Sequence, residues 1–149
     1  MVTDNSRVTD VEVVDVWKRL EEDATAQLID VRTRAEWTYV GVPDLSSLHK
    51  EPLLIEWQSY PTNQPDPDFA RTLDEELSAK NLSKNTNLYF ICRSGARSMS
   101  AARALAERGY SRCHNVRDGF EGPLNSAPSR RHRGETAGWK FAKLPWSQG

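Results

Sequence analysis

The stretch NLYFICRSGARSMSAARALAERG, residues 87–109, changes character twice within one short run. Asn87, Leu88, Tyr89, Phe90 and Ile91 read as a buried strand. From Ser98 to Arg108 the alanine-rich run reads as a helix, stopped by Gly109, a residue that accepts the left-handed backbone of a helix end. Between them lie Cys92, Arg93, Ser94, Gly95, Ala96 and Arg97, too polar and too small for core. A strand that passes through a tight polar loop into a helix is a building unit of an α/β sheet.

The neighbouring segments repeat that unit. Residues 27–31, QLIDV, are an apolar run without clean alternation, as expected of a central, parallel strand covered on both faces. Thr33 and Glu36 follow with capping-box spacing, which predicts a short helical turn carrying Glu36 and Trp37, ended by a turn at residues 41–44. Upstream, Thr9 and Glu12 have the same spacing, and Val13, Trp17 and Leu20 recur at i, i+4 and i+7, predicting an amphipathic helix over residues 10–22. Residues 53–57 suit another strand, whereas Pro61, Pro65 and Pro67 mark a looped connection. Asp66 is the expected N-cap of a helix with Pro67 in its first turn and Phe69, Leu73 and Leu77 on one face. Residues 113–116 suit a last short strand. The expected fold is α/β: a central parallel sheet of about five strands flanked by helices on both faces, one domain over residues 1–149.

From residue 123 to 149 the chain carries Pro123, Pro128, Gly134, Gly138 and Pro145, so regular structure should be sparse. Trp139, Phe141, Leu144 and Trp146 are too apolar for a free tail, which is therefore expected to dock on the domain. Because the last strand leaves toward the edge that carries Cys92, Trp139 and Lys140 are expected at the rim of that site.

Charge and composition limit the partners. The chain has 20 basic and 21 acidic side chains and is 38% hydrophobic, so no global charge points to a nucleic acid or an acidic membrane. No apolar run approaches the roughly 18 residues of a membrane span, and residues 1–5 lack the hydrophobic stretch of a secretory signal, so a cytoplasmic protein with reduced thiols is expected.

Chemistry concentrates at Cys92. A thiol after a strand and at the start of a helix sits over inward-turned backbone N–H groups and the positive end of a helix dipole. Arg93 and Arg97 add positive charge, and both effects should lower the thiol pKa from its unperturbed value of about 8.5. Gly95 lets the loop turn back. Without a bound anion the two arginines would repel each other, so Arg93, Ser94, Gly95, Ala96, Arg97 and Ser98 are read together as an anion-binding loop around a nucleophilic Cys92.

The segment CRSGARS, residues 92–98, resembles the active-site loop of the rhodanese family of sulfurtransferases. LIDVRTRAEW, residues 28–37, resembles that family's strand-and-turn signature, and NVRDGFEG, residues 115–122, its closing strand and glycine turn. The resemblance covers residues 9–122, and GWKFAKLPW, residues 138–146, looks like the tail of a bacterial single-domain subgroup. Gly41, Val42 and Pro43 stand where the family commonly has Gly-His-Ile, and Asp118 and Gly119 where it has a glycine pair. The resemblance implies a two-step exchange: the Cys92 thiolate takes the outer sulfur of a donor such as thiosulfate, releasing sulfite and leaving a persulfide, and an acceptor then removes that sulfur. It implies a small anionic donor, a thiol, cyanide or thioredoxin-like acceptor, and no cofactor.

Other classes fit these residues less well. Cysteine phosphatases on a related fold place five residues between nucleophile and arginine, whereas four separate Cys92 from Arg97, which favours sulfur over phosphatase or arsenate-reductase chemistry. A non-catalytic rhodanese-like binding or carrier module typically loses the cysteine, and this chain keeps it. Cys113, in a strand, is expected to be structural rather than a resolving thiol. Asp30, Arg32 and Glu36 read as a scaffold of internal ion pairs. His49, His114 and His132 show no ligand spacing, so no metal site is expected. Arg130, Arg131, His132 and Arg133 read as a solvated basic run.

Overall fold

The structure, a computed structural model, describes residues 8–59, 61–122 and 137–148. Its centre is a five-stranded sheet in the order β1-β6-β5-β2-β4, formed by β1 (Val8–Val11), β2 (Gln27–Asp30), β4 (Leu53–Leu54), β5 (Leu88–Ile91) and β6 (Cys113–Val116), with every pairing parallel. A separate antiparallel pair joins β3 (Val42–Pro43) to β7 (Trp146–Ser147), which fastens residues 146–147 beside residues 42–43.

Alternation on the buried strands sorts the core into two layers. Ile29, Val31, Leu88, Phe90, Cys92 and Cys113 face one side, packed under α3 (Phe69–Ala79) and α4 (Ala96–Glu107) through Phe69, Leu73, Leu77, Ala101, Ala102 and Leu105. Leu28, Tyr89, Ile91 and Val116 face the other, covered by Val13, Val16 and Leu20 of α1 (Val13–Glu22) together with Leu45, Phe120 and Trp139. Helices thus cover both faces, as the apolar strand runs require. No helix among the described residues is long and apolar enough to cross a membrane.

Several boundaries depart from the sequence reading. Residues 8–11 form strand β1, so the first helix starts at Val13 with Glu12 as its N-cap, and Thr9 makes no capping box. Val8 and Val11 are buried, and parallel pairing with β6 outweighed the local helix signal. The strand expected over residues 53–57 narrows to Leu53–Leu54; beyond it the chain stays tied to the end of β2 by bonds from Ile55 N–H to Asp30 O and from Trp57 N–H to Val31 O. Asp68, not Asp66, is the N-cap residue of α3; the Asp66 carboxylate instead accepts from Asp68 N–H at 2.9 Å, an Asx turn leading into the helix. Helix α4 begins two residues before Ser98, at Ala96. The turn after Gly41 contains β3. The capping box at Thr33 is present as read, opening α2 (Arg34–Tyr39).

Candidate active site

β5 brings Cys92 to the carboxyl edge of the sheet, and α4 starts four residues later. The reversal is made at Gly95, whose φ is 116°. A Cβ there would meet nothing nearer than the Asn115 amide nitrogen at 3.6 Å, so glycine serves its backbone angle and not a lack of space. The Cys92 side chain is buried. Its Sγ accepts the Gly95 N–H at 3.1 Å and lies 3.2 Å from Ser98 Oγ, so the sulfur sits at the amino end of α4 where backbone donors and the helix dipole favour negative charge.

A polar chain missed by the sequence reading runs behind Ser98. Ser98 Oγ is 2.5 Å from Asn115 Oδ1, and Asn115 Nδ2 donates to Asp10 Oδ1 at 2.9 Å. The Asp10 carboxylate accepts and so turns the Asn115 amide oxygen toward Ser98, whose hydroxyl stands within donating distance of Asn115 Oδ1, Gly95 O and Cys92 Sγ. Asp10 and Asn115 are register partners on β1 and β6, a pairing between segments about a hundred residues apart that local patterns cannot show.

The loop is backed by two further layers of main chain. Phe120 N–H donates to Cys92 O at 2.8 Å, and Glu121 and Gly122 N–H donate to Arg93 O at 3.0 and 3.1 Å. Onto that turn folds the tail, with Trp139 N–H bonded to Gly119 O at 2.8 Å and Lys140 N–H to Phe120 O at 3.1 Å. Trp139 is fully buried, edge-on to Trp17 at 6.0 Å, and is therefore core beneath the site with no exposed surface of its own. Lys140 Nζ lies 3.8 Å from the centre of the Trp146 ring and 5.3 Å from that of Phe120, and burial lowers its pKa against the pull of Glu121. The basic run Arg130, Arg131, His132 and Arg133 lies outside the described residues.

Arg97 does not project alone into the loop. Its Nη1 and Nη2 donate to Glu36 Oε1 and Oε2 at 2.8 and 2.9 Å, a two-pronged bond between side chains each 19% exposed. Glu36 also accepts from Thr33 N–H and Oγ1, both at 3.1 Å. Burial pushes its carboxyl up, yet the bonds from Arg97 and Thr33 outweigh burial and hold its pKa at about 2. Arg32 and Asp30, the other two members of the expected scaffold, form a wholly buried pair at 2.6 Å, with Arg32 also donating to Gly41 O at 2.7 Å. The structure thus separates the three: Asp30 and Arg32 hold the turn, and Glu36 belongs to the site. In the loop itself Arg93 and Ala96 are exposed and Ser94 and Arg97 half-buried.

Cys113 is buried at the amino end of β6, and burial pushes its thiol up to about 12. A depression of about 580 Å3 lies at that same amino-terminal edge of the sheet, lined by residues including Gln27, His49, Lys50 and Leu53 and remote from Cys92. Lys50 gives its ammonium there to the carbonyls of Asp23, Ala24 and Ala26, which makes it a structural clasp.

Comparison with known proteins gives the same outline. A family model described as STR4 middle domain matches residues 10–149. An uncharacterized protein of Rickettsia rickettsii, an RP600 homolog, is 39% identical over 121 residues, covering 81% of this chain and 82% of its own. A crystal structure of Rv0390 from M. tuberculosis superposes with a TM-score of 0.82 at 38% identity, over 95% of this chain and 98% of that one. A protein named sulfurtransferase from Allochromatium vinosum is 27% identical over 113 residues, 76% of this chain and 85% of its own. The chloroplastic rhodanese-like domain-containing protein 4 of Arabidopsis thaliana is 27% identical over 132 residues, 89% of this chain but 24% of that longer protein.

Proposed function

Since the chain belongs to the STR4 middle-domain family and is a rhodanese-like protein, we propose that it is a sulfurtransferase that carries sulfane sulfur on Cys92. The observation that supports this most is the seat of the sulfur: Cys92 Sγ accepts a backbone N–H at 3.1 Å at the start of α4, inside a loop of four residues closed by Arg97. In the first half-reaction the Cys92 thiolate attacks the outer sulfur of a donor such as thiosulfate, the S–S bond breaks, and sulfite leaves with the bonding pair. The Cys92 persulfide anion that remains is held by loop amides. In the second, a thiol, cyanide or a thioredoxin-like acceptor attacks the terminal sulfur and Cys92 leaves as thiolate. The loop suits sulfur better than phosphoryl transfer because it is one residue short of the ring that surrounds a tetrahedral phosphate.

The test is mass spectrometry of the intact protein after incubation with thiosulfate. One added sulfur on Cys92, removed by cyanide, is the expected result. No added sulfur from thiosulfate or from a persulfide donor would overturn the proposal in favour of a binding module.

A further inference from the structure

Besides the Gly95 N–H, the Cys92 sulfur has Ser98 Oγ 3.2 Å away, in a side chain that is wholly buried. A serine has a single hydroxyl proton. Three acceptors stand around this one: Cys92 Sγ and Gly95 O at 3.2 Å each, and Asn115 Oδ1 at 2.5 Å. Two oxygens at the shorter distance need a proton between them, and an amide oxygen carries none, so the hydroxyl is directed to Asn115. What keeps the amide oxygen, and not the amide nitrogen, toward Ser98 is Asp10. Its carboxylate accepts Asn115 Nδ2–H at 2.9 Å, and turning the amide over would set a carbonyl oxygen against an acceptor-only carboxylate. Asn115 is buried, whereas Asp10 is exposed at the register-paired position on β1, an edge strand of the sheet. An exposed carboxylate thus forms the outer end of a chain of contacts whose inner end is the nucleophile.

We infer that Asp10 is a positioning residue for Cys92: through Asn115 it holds the Ser98 proton off the sulfur. This deepens the sulfur-transfer reading and rests on it for the reaction that the sulfur performs. A thiolate that takes every donor within reach forms more easily but attacks more slowly, because nucleophilicity falls with basicity. With the serine proton on Asn115, the thiolate keeps the Gly95 N–H and the amino end of α4 as support, and its electrons are not drawn on by the hydroxyl. Without Asp10 the Asn115 amide is free to turn over. Its Nδ2–H then donates to Ser98 Oγ, and the serine proton is released to the sulfur.

The test follows iodoacetamide modification of the Cys92 peptide against pH, by mass, in the native protein, Asp10→Ala, Asp10→Asn, Ser98→Ala and the double variant Asp10→Ala with Ser98→Ala. Alanine removes both charge and acceptor, whereas asparagine removes the charge and keeps a carbonyl oxygen for Asn115. Asp10→Ala is expected to lower the midpoint of the pH profile by about half a unit or more and the high-pH plateau rate about twofold. Asp10→Asn should stay near the native profile, and in the Ser98→Ala background Asp10→Ala should move neither quantity. Arg97 with Glu36, the exposed Arg93, and Glu12 with Arg117 beyond β1 are charged in all five proteins, so the comparison cancels them. Equal shifts in Asp10→Asn and Asp10→Ala would mean that the charge acts directly, and overturn the inference. So would a shift that survives Ser98→Ala, or none in a folded Asp10→Ala. Should alanine on β1 prevent folding, Asp10→Val, a better strand former that also lacks an acceptor, takes its place in both backgrounds. Alkylation needs no sulfur donor, so it decides the hold of Asp10 on the sulfur even where the native protein takes no sulfur from thiosulfate or a persulfide, the result that removes the sulfur-transfer reading.

Discussion

Cys92 and Cys113 share one face of the sheet but stand at opposite ends of it. Both belong to the layer beneath α3 and α4, yet Cys113 pairs in register with Leu88, four residues before Cys92 on β5. At about 3.3 Å per strand residue the two lie roughly 13 Å apart along the strands, beyond the reach of a disulfide. Cys113 therefore has no route to resolve a persulfide on Cys92. Cys92→Ser is expected to abolish sulfur loading and Cys113→Ser to leave it unchanged, read by mass spectrometry of each variant. Iodoacetamide should likewise modify Cys92 far faster than Cys113, whose thiol stays protonated to about pH 12. Loading lost in the Cys113 variant would contradict this arrangement.

Gly119 and Gly95 both have positive φ, but only Gly119 is crowded. A Cβ on Gly119 would fall 2.4 Å from the Cys92 carbonyl oxygen and 2.6 Å from the carbonyl of Arg93, all main-chain atoms that cannot step aside singly. Gly119→Ala is therefore expected to lose about 2–5 kcal/mol, combining left-handed strain with overpacking. Gly95→Ala, with open space around it, should lose only the conformational part, about 1–2 kcal/mol. Urea midpoints of the two variants test the ordering, and the Gly119 variant should also load sulfur more slowly, since its displaced turn carries the nucleophile's carbonyl.

Stability should fall in two stages on acidification. His114 is half-buried with Nε2 donating to Asn87 Oδ1 at 3.0 Å and Nδ1 facing Thr9 Oγ1 at 2.6 Å, a neutral ring satisfied on both sides. Burial first, then Arg19 and Arg112, lower its pKa from 6.5 to about 4. Over that interval the unfolded chain takes up a proton that the folded one refuses, so the contribution is full above pH 6.5 and is lost as pH falls toward 4. Glu36, lowered from 4.5 to about 2, adds a second loss below pH 4.5 as its bond to Arg97 is protonated away. Urea denaturation at intervals from pH 7.5 to 3 checks both stages. His114→Gln should flatten the upper one; an undiminished slope in that variant would assign it to another group.

Legibility in the sequence followed the range of the forces involved. Strand β5 and the capping box at Thr33 were readable because the apolar run and the Thr-x-x-Glu spacing are local. The site loop was readable because its nucleophile, glycine and arginine lie within six residues. The same Thr-x-x-Glu spacing at Thr9 misled, because Val8 and Val11 are set by pairing with β6, to which no local pattern refers. Glu36 reaches Arg97 and Asp10 reaches Asn115 only after the strands have assembled, so chemistry that depends on those pairs was out of sight. Nor did the aromatic tail disclose which of its rings is buried: Trp139 is, while Phe141 and Trp146 remain 49% and 40% exposed.

Trp139 and Lys140 are adjacent in sequence and are expected to fail differently when removed. The Trp139 indole fills the layer beside Trp17 and Phe120, donates Nε1–H to Pro145 O at 2.8 Å, and anchors its own N–H on Gly119. Trp139→Ala leaves a large cavity and should cost about 3–5 kcal/mol, with slower loading because the turn that carries Cys92 O loses its backing. Lys140 has its ammonium over exposed Trp146, where removing a screened charge contact of about 0.5–1 kcal/mol leaves the fold intact. If that ammonium meets the incoming donor, Lys140→Ala should raise the thiosulfate KM about twofold to fivefold at unchanged kcat, the equivalent of the same energy. Steady-state kinetics on the folded variants separate the two roles. A KM for thiosulfate untouched by Lys140→Ala would remove Lys140 from the rim, and a Trp139→Ala protein as stable as the native one would remove the tail from the support of the loop.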